Sequence, residues 1–394
     1  MIRGLLARTW PYTFAGGLAG FLGTVLTVRL IGVEAFADYA IDLAKLSGVL
    51  LLAELIPSSY SIFRQQEDPS FEKDVAAFVL LLVIVVPLVV VGLHSVEFFS
   101  SFSVFIVIHA ACVVLQRYLD ARFQAQGRLS SFVALPLTSS LVRLGVLCII
   151  GLFFSDIAPN DVAWGATATG SVCSQIIFLA RHPAEAAVFL RRGHGIALVR
   201  LWKQRGRYVG YYPNVVLKRL RDMAMPLVCD WLVPSKVEAG KYLLAYRGVD
   251  FALAQLRVVE ALLSNVGVRK VLAAGRARFL VLLAITGQIA AVASSFALAG
   301  QAGFDGHTLF LALLASFFVY PYVVELAFRS DAYAAFTPRR VTASLVAFLL
   351  GIAVAVSCAA FFSELSAIHL MAAPLLGQTM ATLSYWMPIK SARH

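Results

Sequence analysis

Ala76 to Leu93 reads AAFVLLLVIVVPLVVVGL, an apolar run interrupted by no charge. It approaches the roughly 20 apolar residues that a helix needs to cross a hydrocarbon core of about 30 Å. Apolar and polar residues do not alternate along it, as they would in a strand of a membrane barrel. In hydrocarbon its backbone N–H and C=O groups must then be satisfied within the segment, which a helix achieves. Similar stretches recur along the chain, and 60% of its 394 residues are hydrophobic against 14% charged. That is too little polar surface to clothe a water-soluble globule of this length. The sequence therefore predicts an all-α, polytopic integral membrane protein with about twelve spans, over 11–32, 35–56, 76–94, 100–116, 130–154, 162–180, 208–230, 239–264, 279–299, 307–327, 341–362 and 367–388.

The charges orient these spans. Most of the 33 lysines and arginines fall in alternate connections, among them Arg64, Lys73, Arg117, Arg122, Arg128, Arg181, Arg191, Arg192, Arg200, Lys203, Arg269, Lys270, Arg329, Arg339 and Arg340. The opposite connections hold Lys236 against Glu34, Glu97, Asp156, Asp161, Asp230, Glu238, Asp305 and Glu364. By the positive-inside rule both termini are expected to be cytoplasmic. The net charge of +11 thus reports orientation, and no basic surface is left over to suggest a nucleic-acid partner. Two arginines, Arg3 and Arg8, precede the first apolar run as in a secretory signal, but the run continues to Gly32 without a convincing cleavage site and reads as an uncleaved helix.

Six spans precede residue 181 and six follow residue 207, which predicts an N-terminal lobe over 1–180, a bridge over 181–207 and a C-terminal lobe over 208–394. A faint repeat, LIGVEAFADYA from Leu30 and LVPSKVEAGKYLL from Leu232, places Tyr39 and Tyr242 alike. In the bridge, Ile196, Leu198, Val199, Leu201 and Trp202 among Arg200, Lys203 and Arg205 suggest a short helix in the headgroup layer, with an ordinary basic loop as the alternative.

Ionisable residues at bilayer depth carry the functional information, since each costs about 2.5 to 3.5 kcal/mol at a helix centre and should face a bundle interior or a water-filled cavity. The cations Arg29, Lys45, Arg143, Lys218, Arg221, Arg247 and Arg257 are the candidate substrate-binding set. Asp38, Asp42, Asp222 and Asp250 are candidates for ion coupling or for structural pairing. Asp38, Asp42 and Lys45 share one helix face, as do Lys218, Arg221 and Asp222. An excess of cations suits an anionic substrate, and the planar fork of arginine matches phosphate oxygens. Pairing at i+3, as in Arg247 with Asp250, Arg257 with Glu260 and Asp42 with Lys45, is the competing structural explanation.

Other features are less specific. Gly16, Gly20 and Gly23 form a small-residue stripe expected to be a helix contact. Pro87, Pro136, Pro213 and Pro321 lie inside spans, where kinks are plausible but prolines are also ordinary. His109 and His369 read as polar packing more readily than as proton relays, and the five cysteines as small core residues. No nucleotide loop, metal cluster or catalytic triad is visible, so no cofactor, metal or catalytic residue is expected.

Two segments resemble the multidrug/oligosaccharidyl-lipid/polysaccharide (MOP) exporter superfamily, particularly its O-antigen and polysaccharide flippase branch. VRLIGVEAFADYA, Val28 to Ala40, is similar to the family's first-to-second-helix pattern at Arg29, Gly32, Glu34, Phe36 and Tyr39, with Ala37 where glycine is usual. RDMAMPLVCDWLVPSKVEAGKYLLAYR, Arg221 to Arg247, resembles its seventh-to-eighth-helix segment at Asp222, Gly240, Tyr242, Ala245, Tyr246 and Arg247. The resemblance implies two six-helix lobes around a central cationic cavity. It also implies alternating-access transfer of a polyprenyl-diphosphate-linked oligosaccharide, an O-antigen or exopolysaccharide repeat unit, between leaflets. The implied partners are that glycan, membrane lipids and polysaccharide assembly proteins. A cation-coupled multidrug exporter is the alternative, motivated by Asp38, Asp42 and Asp222. A membrane polysaccharide polymerase or ligase is disfavoured because the acidic-side connections are short.

Overall fold

A computed structural model describes residues 2–386 apart from 69–70, 101–102, 155–156, 190–193, 264–275, 303–312, 314–315, 335–337 and 363–366. Its regular structure among the described residues is helical, and the chain divides into two compact units, Met1–Val216 and Leu217–His394.

The first unit opens with α1 (Ile2–Val49), two helices joined at Gly32, whose φ of 83° and ψ of 166° break the helix. This conformation is essentially confined to glycine, because a Cβ there clashes with the backbone. Nothing lies within 4 Å of a Cβ built at Gly32, so the cost of a side chain is conformational alone. Gly32→Ala is expected to lose about 1 to 3 kcal/mol, read as a lowered melting temperature in detergent. Gly92→Ala, equally open but inside a helix, should melt no lower than the wild type; matching melting curves for both variants would refute the strain.

After a short turn at Leu52–Glu54 come α2 (Ser58–Glu67), α3 (Phe71–His94), α4 (Val104–Ala125), α5 (Leu129–Phe153) and α6 (Pro159–Arg181). The glycine stripe of α1 lies on α5: a Cβ at Gly16 would meet Leu137 Cα at 3.1 Å, and Gly20 faces Ser140. The helices differ from the expected spans at two places in this unit. Residues 57–70, expected as part of a connection, contain α2. The fourth span, expected over 100–116, starts where Ser103 caps α4 by accepting from the Phe105 N–H at 3.3 Å. It continues to Ala125, where Gly127 (φ 68°) closes it, the Arg128 N–H reaching Phe123 O at 2.9 Å. Arg117 and Arg122, expected in a connection, are therefore helical, and both are matched by acids: Arg117 pairs with Glu54, and Arg122 with Glu72 at 2.8 Å.

The remaining helices of this unit are α7 (Pro183–Phe189), α8 (His194–Lys203) and α9 (Arg205–Tyr208). The next helix, α10 (Tyr212–Leu232), runs across the division between the units.

The second unit continues with α11 (Lys236–Leu263), α12 (Arg276–Ala302), α13 (Val319–Ala334), α14 (Pro338–Phe362) and α15 (Ala367–Ser384). Leu256, Ala284, Ala291, Val319, Val323 and Leu326 form a core between α11, α12 and α13. The α14 and α15 backbones approach so closely that a Cβ at Gly351 would stand 2.6 Å from Gly377 Cα. The span expected to end at 327 extends to Ala334, which carries Arg329 into the helix. Pro213 and Pro321 fall in the first turns of α10 and α13, where a missing N–H costs no helical hydrogen bond.

Six described segments are long and apolar enough to cross a membrane, Thr9–Glu54, Phe71–His94, Val104–Ala125, Leu129–Phe153, Pro159–Arg181 and Arg339–Phe361, and the first contains the break at Gly32. The chain is a multi-pass membrane protein.

Candidate functional site

Arg143 lies at mid-length of α5, where α1 and α6 come close on either side. A Cβ at Gly170 of α6 would meet Ser139 O at 2.6 Å and Arg143 Cβ at 3.2 Å, so this contact requires glycine. On the other side Arg143 Nη2 donates to Thr27 Oγ1 at 3.2 Å, and the guanidinium lies 5.9 Å from the centre of the Tyr39 ring. Thr27 precedes the Gly32 break and Tyr39 follows it, so both halves of α1 serve the same cation. Tyr39 is held in turn by a 2.9 Å hydrogen bond between its hydroxyl and that of Thr167, and by edge-on contact with Trp164 at 5.0 Å. His109 of α4 completes the layer, 3.0 Å from Ser171 Oγ and 6.0 Å from Trp164 between ring centres.

The polarity of this layer is unbalanced. Arg143 has a hydroxyl and an aromatic face as neighbours, and no carboxylate among the described residues lies within ion-pair distance. Its Nε is buried without a hydrogen-bond partner among the described residues, as is the indole N–H of Trp164. A guanidinium keeps its charge inside proteins, so the layer holds a half-buried cation beside two buried donors. Such a constellation can accept an anionic oxygen ligand.

The other candidates in this unit are placed differently. Asp42 is fully buried and its Oδ1 accepts from the Ser100 N–H at 2.9 Å, fixing the segment ahead of α4. Lys45 sits 5.9 Å from the Phe98 ring centre. Asp38 is half-buried, and Arg29 is exposed near the end of the first half of α1.

In the second unit a charged network surrounds Glu325 of α13, which is fully buried. Its Oε2 is 3.8 Å from Arg221 Nη1, 3.5 Å from Arg329 Nη1 and 3.4 Å from Gln378 Nε2. Asp222 lies 3.6 Å from Arg221 Nε and 3.8 Å from Arg219 Nη1. Arg221 therefore stands between two carboxylates. Lys218 is exposed and Arg247 half-buried; the side chains of Asp250, Arg257, Glu260 and His369 lie outside the described residues.

Sequence reasoning assigned no role as ion-pair partners to Arg329 and Arg122, which are buried, or to Arg117, which is half-buried. For Arg329 the signal was present, Glu325 being one helical turn away. For the other two it was absent, since Glu54 and Glu72 are remote in sequence. No group of three or more histidine, cysteine or acidic side chains that could hold a metal occurs among the described residues. Of the cysteines, Cys229 is buried, whereas Cys148 and Cys358 are exposed and are not core residues.

No protein-family description and no curated protein matches the chain in sequence. Solved structures do match in fold. The chain is similar to an inward-facing conformation of a multidrug resistance MATE family transporter of the MOP superfamily, with a TM-score of 0.61, 11% identity, and 93% of this chain and 92% of that one covered. It is similar to an outward-facing conformation so described at a TM-score of 0.63 and 10% identity, over 97% and 93%. A Vibrio cholerae MATE transporter in its bent form gives 0.64 and 13% identity, over 98% and 95%. The fold is thus that of MATE transporters, over nearly the full length.

Proposed function

We propose that the chain is a membrane exporter working by alternating access, and that its substrate carries an anionic oxygen-rich group that Arg143 receives. The fold likeness extends to transporters described in both inward- and outward-facing conformations, which supports alternation. Those proteins are described as multidrug transporters, and by itself that favours a cation-coupled drug exporter. Arg143 turns our reading to an anionic substrate. A cationic drug would be repelled by a guanidinium with no carboxylate within ion-pair distance among the described residues, while a diphosphate would find in it a planar donor fork.

A substrate class that unites an anionic headgroup with a chain at home in lipid, and the one that the resemblance of the two segments implies, is a polyprenyl-diphosphate-linked oligosaccharide; the reading is of a flippase in a bacterial inner membrane with both termini cytoplasmic. Lys218 and Arg247 are proposed contacts of the same class within the second unit. Deleting the gene is expected to reduce surface polysaccharide while leaving drug accumulation unchanged. Raised intracellular drug with normal polysaccharide would instead establish the drug-exporter reading, in which Asp38, Asp42 and Asp222 are the carboxylates to examine.

A further inference from the structure

The helix α8 has one face packed on the protein and another facing outward. Ala197 and Leu201, one turn apart, are 4% and 3% exposed, and Arg200 Nη2 donates to Asp74 Oδ1 at 2.6 Å, joining α8 to the start of α3. Opposite them Ile196, Val199 and Trp202 recur every three residues and are 69%, 55% and 66% exposed. Water would be a poor solvent for that stripe. Its level is set by α3, whose 24 residues extend about 36 Å, somewhat more than a hydrocarbon core. Asp74, one turn from the end, thus lies at the edge of the core, and α8 docked on it lies along the headgroup layer.

The charge alongside selects the lipid. From residue 186 to residue 221 the sequence contains no acid, while Arg191, Arg192, Arg200, Lys203, Arg205 and Arg207 lie in or beside α8. Lys203 lies along the apolar stripe by helical spacing. Arg205 lies 4.7 Å from the Trp202 ring centre, which places a cation at the aromatic end of the stripe. Each cation close to an anionic surface adds roughly fivefold to partition.

We propose that α8 is a binding element for anionic lipid headgroups, with Ile196, Val199 and Trp202 entering the bilayer surface and Lys203 and Arg205 contacting lipid phosphates. A test uses the full chain, cysteine-free, with Val199→Cys carrying an environment-sensitive fluorophore, in nanodiscs of phosphatidylcholine alone or with phosphatidylglycerol, and quenchers on the upper acyl chain. The expected result is blue-shifted emission, quenched from the lipid and more strongly with phosphatidylglycerol. Lys203→Glu with Arg205→Glu should return the value to that of phosphatidylcholine. Water-like, unquenched emission in both lipids, or quenching equal in both, would overturn the proposal. The measurement requires no transport substrate, so its failure is distinct from failure of the flippase reading.

Discussion

Glu325→Ala is expected to be the most destabilising single substitution in the second unit. The carboxylate is fully buried between Arg221 and Arg329, whose side chains are 10% and 5% exposed. Removing it leaves two guanidinium groups facing one another with one fewer acid between them. Breaking a buried ion pair from one side costs about 3 to 5 kcal/mol, because the remaining charge stays desolvated. The prediction is a steep fall in melting temperature and in the amount of folded protein recovered in mild detergent. Glu325→Gln, which keeps an acceptor for Gln378, should lose less. Glu325→Leu combined with Arg329→Met should recover much of the loss, since Arg221 keeps Asp222 at 3.6 Å. An alanine variant as stable as the wild type would remove Glu325 from the account of this unit.

Arg143→Met is expected to have the opposite profile, a folded protein without function. No acid among the described residues is orphaned by the change, and the Thr27 hydroxyl keeps its own hydrogen bond to Gly23 O at 2.7 Å. Methionine fills much of the stem volume, so stability should change by no more than about 1 kcal/mol. Export of surface polysaccharide, in contrast, should fall by about tenfold or more, the equivalent of losing a hydrogen bond to a charged group. Arg143→Lys should be intermediate, because an ammonium keeps the charge but loses the planar fork and the Tyr39 face. Loss of export accompanied by loss of folded protein would point to a structural role instead.

Much of this architecture was legible in the sequence because lipid imposes simple rules. The run from Ala76 to Leu93 lies inside α3, and the glycine stripe of the first span faces α5 as its spacing suggested. Span ends were harder. A charged residue marks a boundary when hydrophobicity is the guide, so α4 was expected to end at 116. Yet Arg117 and Arg122 belong to the helix because Glu54 and Glu72 meet them, and such long-range matching leaves no local signature. The candidate site divides in the same way. Depth in an apolar span was enough to single out Arg143 and Arg221. The hydroxyl and aromatic surroundings of Arg143 come from α1, distant in sequence, and Arg221 meets the remote Glu325 of α13 as well as its neighbour Asp222. Tyr39 and Tyr242, aligned by the faint repeat, are both buried, 2% and 1% exposed.

Arg143 receiving an anion is central to the proposed transport, and binding tests this more directly than export. Native mass spectrometry of the purified chain with a polyprenyl diphosphate, and with the matching polyprenol, separates headgroup from tail. The wild type should retain the diphosphate with a Kd about ten- to a hundredfold lower than Arg143→Met does, while the two proteins hold the polyprenol equally. Equal retention of the diphosphate by both proteins would contradict the account.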